Sequence, residues 1–327
     1  MFVLVVAVVS SAFKQASEYR KARREGAIAH IDVHVVDDAG NGISNANVCV
    51  FFGMNFAPLG HTISGVSNAN GIFACDGNTC GDEIVIEVCK TNYYSSYKRL
   101  CFATMGAERD VRDGRWLPFG ENVVVNLRDV RHPLNKEVRG EFSPTKALNR
   151  WIGFDLNKND YVAPDGDGEV ADLDVFIEWD GKWYPHYRGM AVRIRFRDAY
   201  SGFYPVAKIM DSQLRGPYQA NVLGEYKNEE VRFYTKVLDD LTRTGKHWNE
   251  NECWVVRSRC EVDENGNLVK ANYSVVMSFD FACQRDGSGA IRMIGLFNPT
   301  PNDTNLEPMS YEAKKWLKSQ KKGVLVR

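Results

Sequence analysis

The sequence has almost no net charge and lacks the short motifs of the common catalytic classes. Its 327 residues include 41 Lys or Arg and 42 Asp or Glu, giving a formal charge of −1 at pH 7. A balanced chain has no overall field that would attract nucleic acid. No G-x-S-x-G, H-E-x-x-H or phosphate-cradling glycine loop occurs. We therefore expect no nucleic-acid partner, and the sequence predicts no catalytic residue.

Long apolar runs are missing as well. Met1–Phe13 is apolar apart from two serines, which is too short to span a bilayer but suits a signal peptide. The basic residues of Arg20–Arg24 follow this run instead of preceding it, the reverse of an ordinary export signal. We expect an extracytoplasmic protein: secreted, periplasmic or at the cell surface. The alternative is a short N-terminal anchor, with membrane association through residues 1–13.

Cysteine is present without any C-x-x-C spacing, so neither a zinc ribbon nor a thioredoxin-type site is supported. Five of the eight cysteines precede Ala103 and three follow Asn251. Cys75 could bridge Cys80 across a short loop, and Cys89 could bridge Cys101. The alternative is a set of buried free thiols, since unpaired cysteine packs as a small hydrophobic residue.

The first third of the chain has the pattern of a β-sandwich. Polar and apolar residues alternate over residues 30–35, as in a half-buried strand. Asn70-Gly71 predicts a turn and a strand beginning at Ile72. Turn-rich segments separate further predicted strands, which are Val48–Phe52, Ile72–Cys75, Ile84–Cys89, Arg99–Ala103 and Asn122–Leu127. We predict an immunoglobulin-like sandwich over residues 29–128, after a signal-like and basic segment at residues 1–28.

Several runs in this region resemble the carboxypeptidase regulatory-like, or prealbumin-like, β-sandwich. They are Ile31–Asp37, Gly42–Val48, Gly65–Phe73, Ile84–Val88 and Lys90–Tyr94. The chain departs from that pattern at Ser67-Asn68, where the family has Thr-Asp, and at Asn92, where it has a corner glycine. The inserted loop between Cys75 and Cys80 is a further departure. The resemblance covers about a third of the chain and implies an accessory, adhesive or scaffold module of an exported protein, without catalytic residues.

Residues 129–145 are charged, contain two prolines and read as a linker. We predict an α+β domain with an antiparallel sheet over residues 146–327. Ala171–Trp179 and Ala191–Arg197 alternate as strands, with acids on one and arginines on the other, so cross-strand ion pairs are expected. Asn228-Glu229-Glu230 has the composition of a helix N-terminus, and apolar residues follow at helical spacing as far as Leu241, with Gly245 as the stop.

A β-hairpin is predicted at Asn265-Gly266. A two-residue turn there would pair Cys253–Val262 with Leu268–Cys283, placing Val262 opposite Val269 and Val256 opposite Val275. Ile291–Phe297 reads as a further strand, and Ser310–Ser319 as a terminal helix.

Two groups of residues in the second domain are candidate sites. Trp179, Trp183, Tyr184, His186 and Tyr187 could form a stacking platform for a sugar; the alternative is aromatic packing within a hairpin. The densest set of oxygen-bearing side chains in the sequence would suit calcium, although its spacing does not match that of an EF-hand loop. The alternative is a polar surface loop without a metal. Its members are Asp155, Asn157, Asn159, Asp165, Asp167 and Glu169.

Two further clusters have both a chemical and a structural interpretation. His30, Asp32 and His34 would share one face of a strand and could hold a transition metal, or form a solvated face. Asp172, Asp174 and Glu178 could include a glycosidase acid–base pair, or form a salt-bridged strand face.

Taken together, these features predict a non-catalytic exported binding or scaffold protein. Its sandwich would present a second domain that binds a glycan or a protein, and no cofactor is predicted beyond calcium at the acidic loop. One alternative is a carbohydrate-active or other hydrolase with its active site in the second domain. The other is a membrane-tethered structural component.

Overall fold

A computed structural model describes residues 16–53, 60–81, 83–102, 111–180, 182, 189–237, 243–310 and 313–315. Two compact units make up the chain. Unit 1 comprises the residues up to Val130 together with Asp211–Gln213 and the residues after Ser310, and unit 2 comprises Arg131–Met210 and Leu214–Ser310. Within the described ranges, no helix is long and apolar enough to cross a membrane. Residues 1–13 lie outside those ranges, so export or anchoring by this segment stays a prediction.

Unit 1 is a two-sheet β-sandwich preceded by a helix over residues 16–25. Its strands are β1 (Ala27–Val36), β2 (Asn47–Phe52), β3 (His61–Val66), β4 (Ile72–Thr79), β5 (Ile84–Cys89), β6 (Ser96–Leu100), β7 (Val111–Arg112), β8 (Arg115–Trp116) and β9 (Glu121–Asn126). One sheet has the order β4-β1-β8-β7, with β9 parallel to β1, and the other has the order β3-β2-β5-β6.

A single apolar core fills the space between these two sheets. Val33 on β1, Val50 on β2 and Ile86 on β5 are fully buried within it. The predicted sandwich is therefore confirmed as a fold, and β4 begins at Ile72 as expected, after Gly71 at φ +81°. That positive φ is the conformation that glycine adopts most readily.

Unit 2 is built from two further sheets. Its strands are β10 (Ser143–Thr145), β11 (Trp151–Asp155), β12 (Asp160–Tyr161), β13 (Leu173–Glu178), β14 (Gly189–Arg195), β15 (Gly202–Ala207), β16 (Val231–Val237), β17 (Arg243–Lys246), β18 (Glu252–Val262), β19 (Leu268–Cys283) and β20 (Gly289–Asn298). The sheet orders are β12-β11-β13-β14-β16-β17 and β10-β20-β19-β18-β15. The prediction of a mainly β chain with antiparallel sheets is confirmed.

The helix predicted after Asn228 is wrong: this segment forms β16, which pairs with β14. Val231 and Phe233 are buried and Arg232 is exposed, so the same residues also fit an alternating pattern. Aromatic and β-branched residues fill this run and favour a pleated surface. Gly245, the expected helix stop, lies within β17. The described residues of unit 2 thus contain no helix, and the helix predicted after Asn228 is overturned.

The hairpin of β18 and β19 is confirmed, but most of its register is wrong. Val262 faces Leu268 and not Val269, and Val256 faces Ser274 and not Val275. Only Glu261, opposite Lys270, lies in the predicted register. The strands lose register between Ser258 and Glu261, where Arg259 adopts a φ of +54°. The displacement by one position begins at the turn, because the Asp263 N–H donates to the Asn267 carbonyl oxygen and closes a three-residue turn. A second irregularity lies between Glu261 and Val262, so only the pair of Glu261 and Lys270 departs from the displaced register.

The terminal helix is described only at residues 313–315, which are helical. Residues 311–312 and 316–319 of the predicted Ser310–Ser319 helix lie outside the described residues.

Candidate functional site

A cleft in unit 2 encloses about 350 Å³. It lies over β15, β16 and the β17–β18 connection. Its lining combines aromatic rings with charged and amide side chains: Phe203, Pro205, Lys227, Glu229, Glu230, Val231, Phe233, Lys246, His247, Trp248, Asn249, Glu252 and Trp254. Clefts of this size and mixed lining are typical of small-ligand sites.

Stacked aromatic rings form the apolar part of the cleft. The Trp254 ring centroid lies 4.0 Å from that of Phe203 and 4.6 Å from that of Trp248. Phe203, Phe233 and Trp248 are buried, while Trp254 is partly exposed. These rings are anchored in the core between the two sheets of unit 2, so the surface they offer is rigid.

One hydrogen-bond donor in this aromatic group is available to a ligand. The Trp248 Nε1–H donates to the Glu252 carbonyl oxygen at 3.2 Å. The Trp254 Nε1–H, by contrast, has no acceptor within the described part of the chain. An indole that presents both its ring and its N–H can stack on a ligand and bond to it as well.

The polar rim of the cleft is balanced in charge. Arg193 binds the Glu230 carboxylate through two contacts of 2.6 and 3.0 Å, and this hydrogen bonding lowers the pKa of Glu230. Among the described residues, Lys227, Lys246, Glu229 and Glu252 form no side-chain ion pair, which leaves two positive and two negative groups at the rim. The cleft therefore supplies donors and acceptors without a net field.

The sequence prediction did not identify this cleft. Its residues come from strands that are far apart in the chain, so no local pattern groups them. One signal was present: Trp248 and Trp254 flank the turn at residues 250–251, on the connection between β17 and β18.

Only Trp179 of the predicted aromatic platform is described, and it does not line the cleft. Trp179 is 3% exposed and belongs to the core of unit 2, and its backbone is fixed by Asn149. Trp183, Tyr184, His186 and Tyr187 lie outside the described residues. Sugar binding by those four residues stays a prediction.

The predicted calcium ligands lie on one loop, but cations and backbone N–H groups occupy most of them. Arg150 binds Asp165, Lys136 binds Asn157, and Lys158 lies 3.0 Å from Glu169. Asp167 donates its backbone N–H to Asp160, and the Asn159 side chain donates to the Glu141 carbonyl. No group of three or more His, Cys, Asp or Glu in the described ranges has the geometry to hold a metal. Calcium binding here stays a prediction.

The buried member of this loop, Asp155, organises the backbone. Its carboxylate accepts the N–H groups of residues 157, 158, 169 and 170 at 2.8–3.1 Å. Burial alone would raise the pKa of Asp155, but these bonds and the nearby Arg259 outweigh it, and the net shift is downward. Asp155 therefore has the role of a structural anion.

The carboxylates considered for acid–base chemistry are held by arginines. Asp172 is buried and accepts bonds from the Ser258 hydroxyl at 2.6 Å and from Arg259 at 2.9 and 3.0 Å. Asp174 binds Arg195 and Arg197, and Glu178 binds Arg232 at 3.0 Å. These are the ion pairs expected for a salt-bridged strand face.

The histidine cluster of unit 1 is also paired internally. His30 Nδ1 lies 2.5 Å from Asp76 Oδ1, and His30 Nε2 lies 3.4 Å from Asp32 Oδ1. His34 Nε2 contacts the Asn122 amide oxygen at 3.2 Å. Both ring nitrogens of His30 are thus engaged by carboxylates.

The predicted disulfides do not form in the structure, where all eight cysteines are free thiols. Burial raises the pKa of Cys75 and of Cys253 to about 11, so neither thiol is ionised near neutral pH. Both behave as apolar core residues, the alternative that the sequence left open.

No family model matches the chain, and no curated protein matches it; membership of the carboxypeptidase regulatory-like family is therefore not established. Solved structures similar to it include a point mutant of the shaft pilin SpaA of Lactobacillus rhamnosus GG (9% identity, 86% of this chain, 95% of that chain, TM-score 0.22). A second is the major pilin SpaD of Corynebacterium diphtheriae (10% identity, 87% of this chain, 84% of that chain, TM-score 0.24). A third is BcpA, the major pilin subunit of Bacillus cereus (11% identity, 82% of this chain, 95% of that chain, TM-score 0.23). TM-scores this low support no inference about function.

Proposed function

We propose that the protein is a non-catalytic exported binding protein, in which unit 2 holds a neutral glycan in the Trp248–Trp254 cleft. The observation that carries this proposal is the partly exposed Trp254, whose ring is stacked at 4.0 Å on Phe203 and whose Nε1–H has no acceptor among the described residues. Unit 1 then serves as the scaffold module that the resemblance to regulatory-like sandwiches implies.

The charge balance of the rim favours an uncharged ligand rich in hydroxyl groups. A hydroxyl can both donate and accept, so one sugar ring can use Lys246 and Glu252 together. An anionic ligand would meet Glu229 and Glu252, and a cationic one would meet Lys227 and Lys246. Either charge would face two like charges, and such pairs oppose binding.

Binding is favoured over hydrolysis because of the state of the buried carboxylates. A general acid in a glycosidase needs a raised pKa and access to the scissile bond. Asp172 has neither access nor spare acceptor capacity, since Ser258 and Arg259 bind it inside the core. Asp174 is 7% exposed in its side chain and is bound by two arginines.

The experiment is calorimetric titration of the full chain with a panel of neutral oligosaccharides, with thermal unfolding as a second readout. A ligand that binds only the native state raises the unfolding midpoint by mass action. Trp254→Phe keeps the core ring but removes the N–H and part of the stacking surface. We expect it to weaken binding by about tenfold or more, as for truncation of an aromatic anchor.

Trp151→Phe provides the matched control. Trp151 lies outside the cleft, stacked under the Arg195 guanidinium at 4.1 Å, and this substitution should leave glycan affinity unchanged. Absence of binding by any member of the panel, or equal weakening by both variants, would overturn the assignment of the cleft.

A further inference from the structure

The outer strand β3 of unit 1 lacks, within its own six residues, the features that prevent pairing with another strand. It hydrogen-bonds to β2 alone within the described residues. Its sequence, His-Thr-Ile-Ser-Gly-Val, contains no Asp, Glu, Lys, Arg or Pro. Thr62, Ser64 and Val66 are exposed, Val66 to 55%. A strand of this kind presents free backbone donors and acceptors to solvent.

The other outer strands in the described part of the chain all carry a residue that blocks such pairing. A proline or a charged side chain occurs in each of them: Asp76 in β4, Lys98 in β6, Arg112 in β7, Glu121 in β9, Pro144 in β10, Asp160 in β12, Pro205 in β15 and Lys246 in β17. Proteins commonly protect sheet edges with prolines and charges. The exception at β3 therefore indicates an edge that is used.

We propose that β3 pairs antiparallel with β3 of a second copy of this chain, with Ser64 at the twofold axis. Side chains alternate along β3, so Ile63 and Gly65 face the core and the even-numbered residues face solvent. The Phe73 ring packs against Gly65 on the core side. Pairing centred on Ser64 places like faces together: Thr62 lies opposite Val66 of the second copy, and Ile63 opposite Gly65.

This register is compatible with both charge and packing. The paired residues include no like-charged groups, and Thr62 with Val66 is a β-branched cross-strand pair, which is favourable. The two four-stranded sheets would join into one continuous eight-stranded sheet, with an isologous interface as in most dimers. A centre midway between two residues, such as Ile63 and Ser64, would set core-facing side chains against solvent-facing ones.

The interface is small, so the association should be weak and dependent on concentration. Five paired residues from each copy bury less than the roughly 1,000 Å² per complex that marks a stable interface. A high local concentration, as when many copies are held on one surface, would favour it.

Analytical ultracentrifugation of the full chain at increasing concentration tests this proposal. Wild type should show a monomer–dimer equilibrium. Ser64→Lys and Ser64→Glu each place two like charges directly opposite one another and should weaken dimerisation by more than tenfold. An equimolar mixture of the two variants should restore association, because a lysine of one variant then faces a glutamate of the other across the twofold axis.

The mixture also separates loss of pairing from loss of folding, since a misfolded variant would not be rescued by its counterpart. Val269→Lys, at a residue that is 50% exposed on β19 in unit 2, is the matched surface control and should dimerise like wild type. A wild-type monomer at all concentrations, unchanged dimerisation of Ser64→Lys, or a mixture that stays monomeric would each overturn the proposal.

Discussion

Strands β1 in unit 1 and β19 in unit 2 differ in the number of buried faces. In β1 every second residue from Ala29 to Val35 is 0% exposed, and the residues between them are partly exposed. In β19 seven consecutive residues, 271–277, are buried. The difference arises because β19 has one apolar core on each side: Val276 packs into one and Val275 into the other.

This difference determines how far a hydrophobic pattern can specify a strand. When only one face is buried, a slip of one residue would move every apolar side chain into water, so the register is strongly fixed. When both faces are buried, a slip exchanges one apolar residue for another. The register of β18 and β19 must therefore be set by other features. These are the turn at Asp263–Asn267, which sets Val262 opposite Leu268, and the bulge at Arg259.

The largest effect should come from removing the charge at that bulge. Arg259→Met would leave Asp172 and Asp155 buried without their guanidinium, which is bound at 2.9 and 3.0 Å. Breaking a buried pair from one side costs about 3–5 kcal/mol. We expect chemical denaturation, followed by circular dichroism, to show that loss in the unfolding of unit 2.

Arg232→Met is the control, because its ion pair with Glu178 is about half exposed on both sides. An exposed pair contributes about 0–1 kcal/mol, so this variant should unfold close to wild type. If Arg259→Met were no more destabilising than Arg232→Met, the buried pairing of Arg259 with Asp155 and Asp172 would not stabilise unit 2 more than an exposed pair does.

Turns were predictable because the residues that define them are adjacent in sequence. Asp37–Asn41 in unit 1 and Asp263–Asn267 in unit 2 have the pattern D-x-x-G-N and form the same turn. In each, the Asp carboxylate accepts the backbone N–H groups of the third and fifth residues, and the glycine has a φ of +83° or +80°. The hairpin was predicted from the Asn265-Gly266 pair alone and as a two-residue turn, whereas the turn closes over three residues between Asp263 and Asn267.

Features that depend on distant residues were not predictable in the same way. The apolar spacing of Val231 to Leu241 fits a helix as well as a strand, and only pairing with β14 decides between them. The cleft likewise joins Phe203, Lys227 and Trp254, which are separated by 24 and 27 residues in sequence. Burial of both faces of β18 and β19 depends on packing that no short segment encodes.

A pair of matched truncations would sharpen the comparison between one-faced and two-faced strands. In β1, Val35→Ala removes two buried methyl groups and should cost about 2 kcal/mol, whereas Val36→Ala on the other face should cost much less. In β18, Val255→Ala and Val256→Ala should both cost about 2 kcal/mol, because one packs into each core.

Free energies of unfolding from denaturant titration of the four variants provide the measurement. The ratio between neighbouring sites is more informative than any single value, since the residue type is the same throughout. A large difference between Val255→Ala and Val256→Ala would show that only one face of β18 contributes to stability.

The smallest expected effect concerns the polar, partly exposed face of β1. Strand β19 has no such face over residues 271–277, where every residue is buried. The Asp76 hydrogen bond raises the pKa of His30, with burial opposing and Asp32 assisting it. A raised pKa in the folded state means that His30 stabilises unit 1 below its ordinary pKa of about 6.5. That contribution is lost as the pH rises through the raised pKa. Because Asp76 is 60% exposed, we expect less than about 1 kcal/mol.

Asp76→Asn should lower the pKa of His30, measured by NMR titration of its ring protons, and should flatten the pH dependence of unfolding above the ordinary histidine pKa of about 6.5. Arg115, which lies over the Phe119 ring that stacks on His30, is present in both proteins and cancels from the comparison. Parallel pH profiles for wild type and Asp76→Asn would show that the face does not couple protonation to folding. The polar residues of β1 would then contribute to the strand only by being solvated. The alternation of polar and apolar residues that made β1 predictable would reflect which face is exposed to water and no specific ion pair.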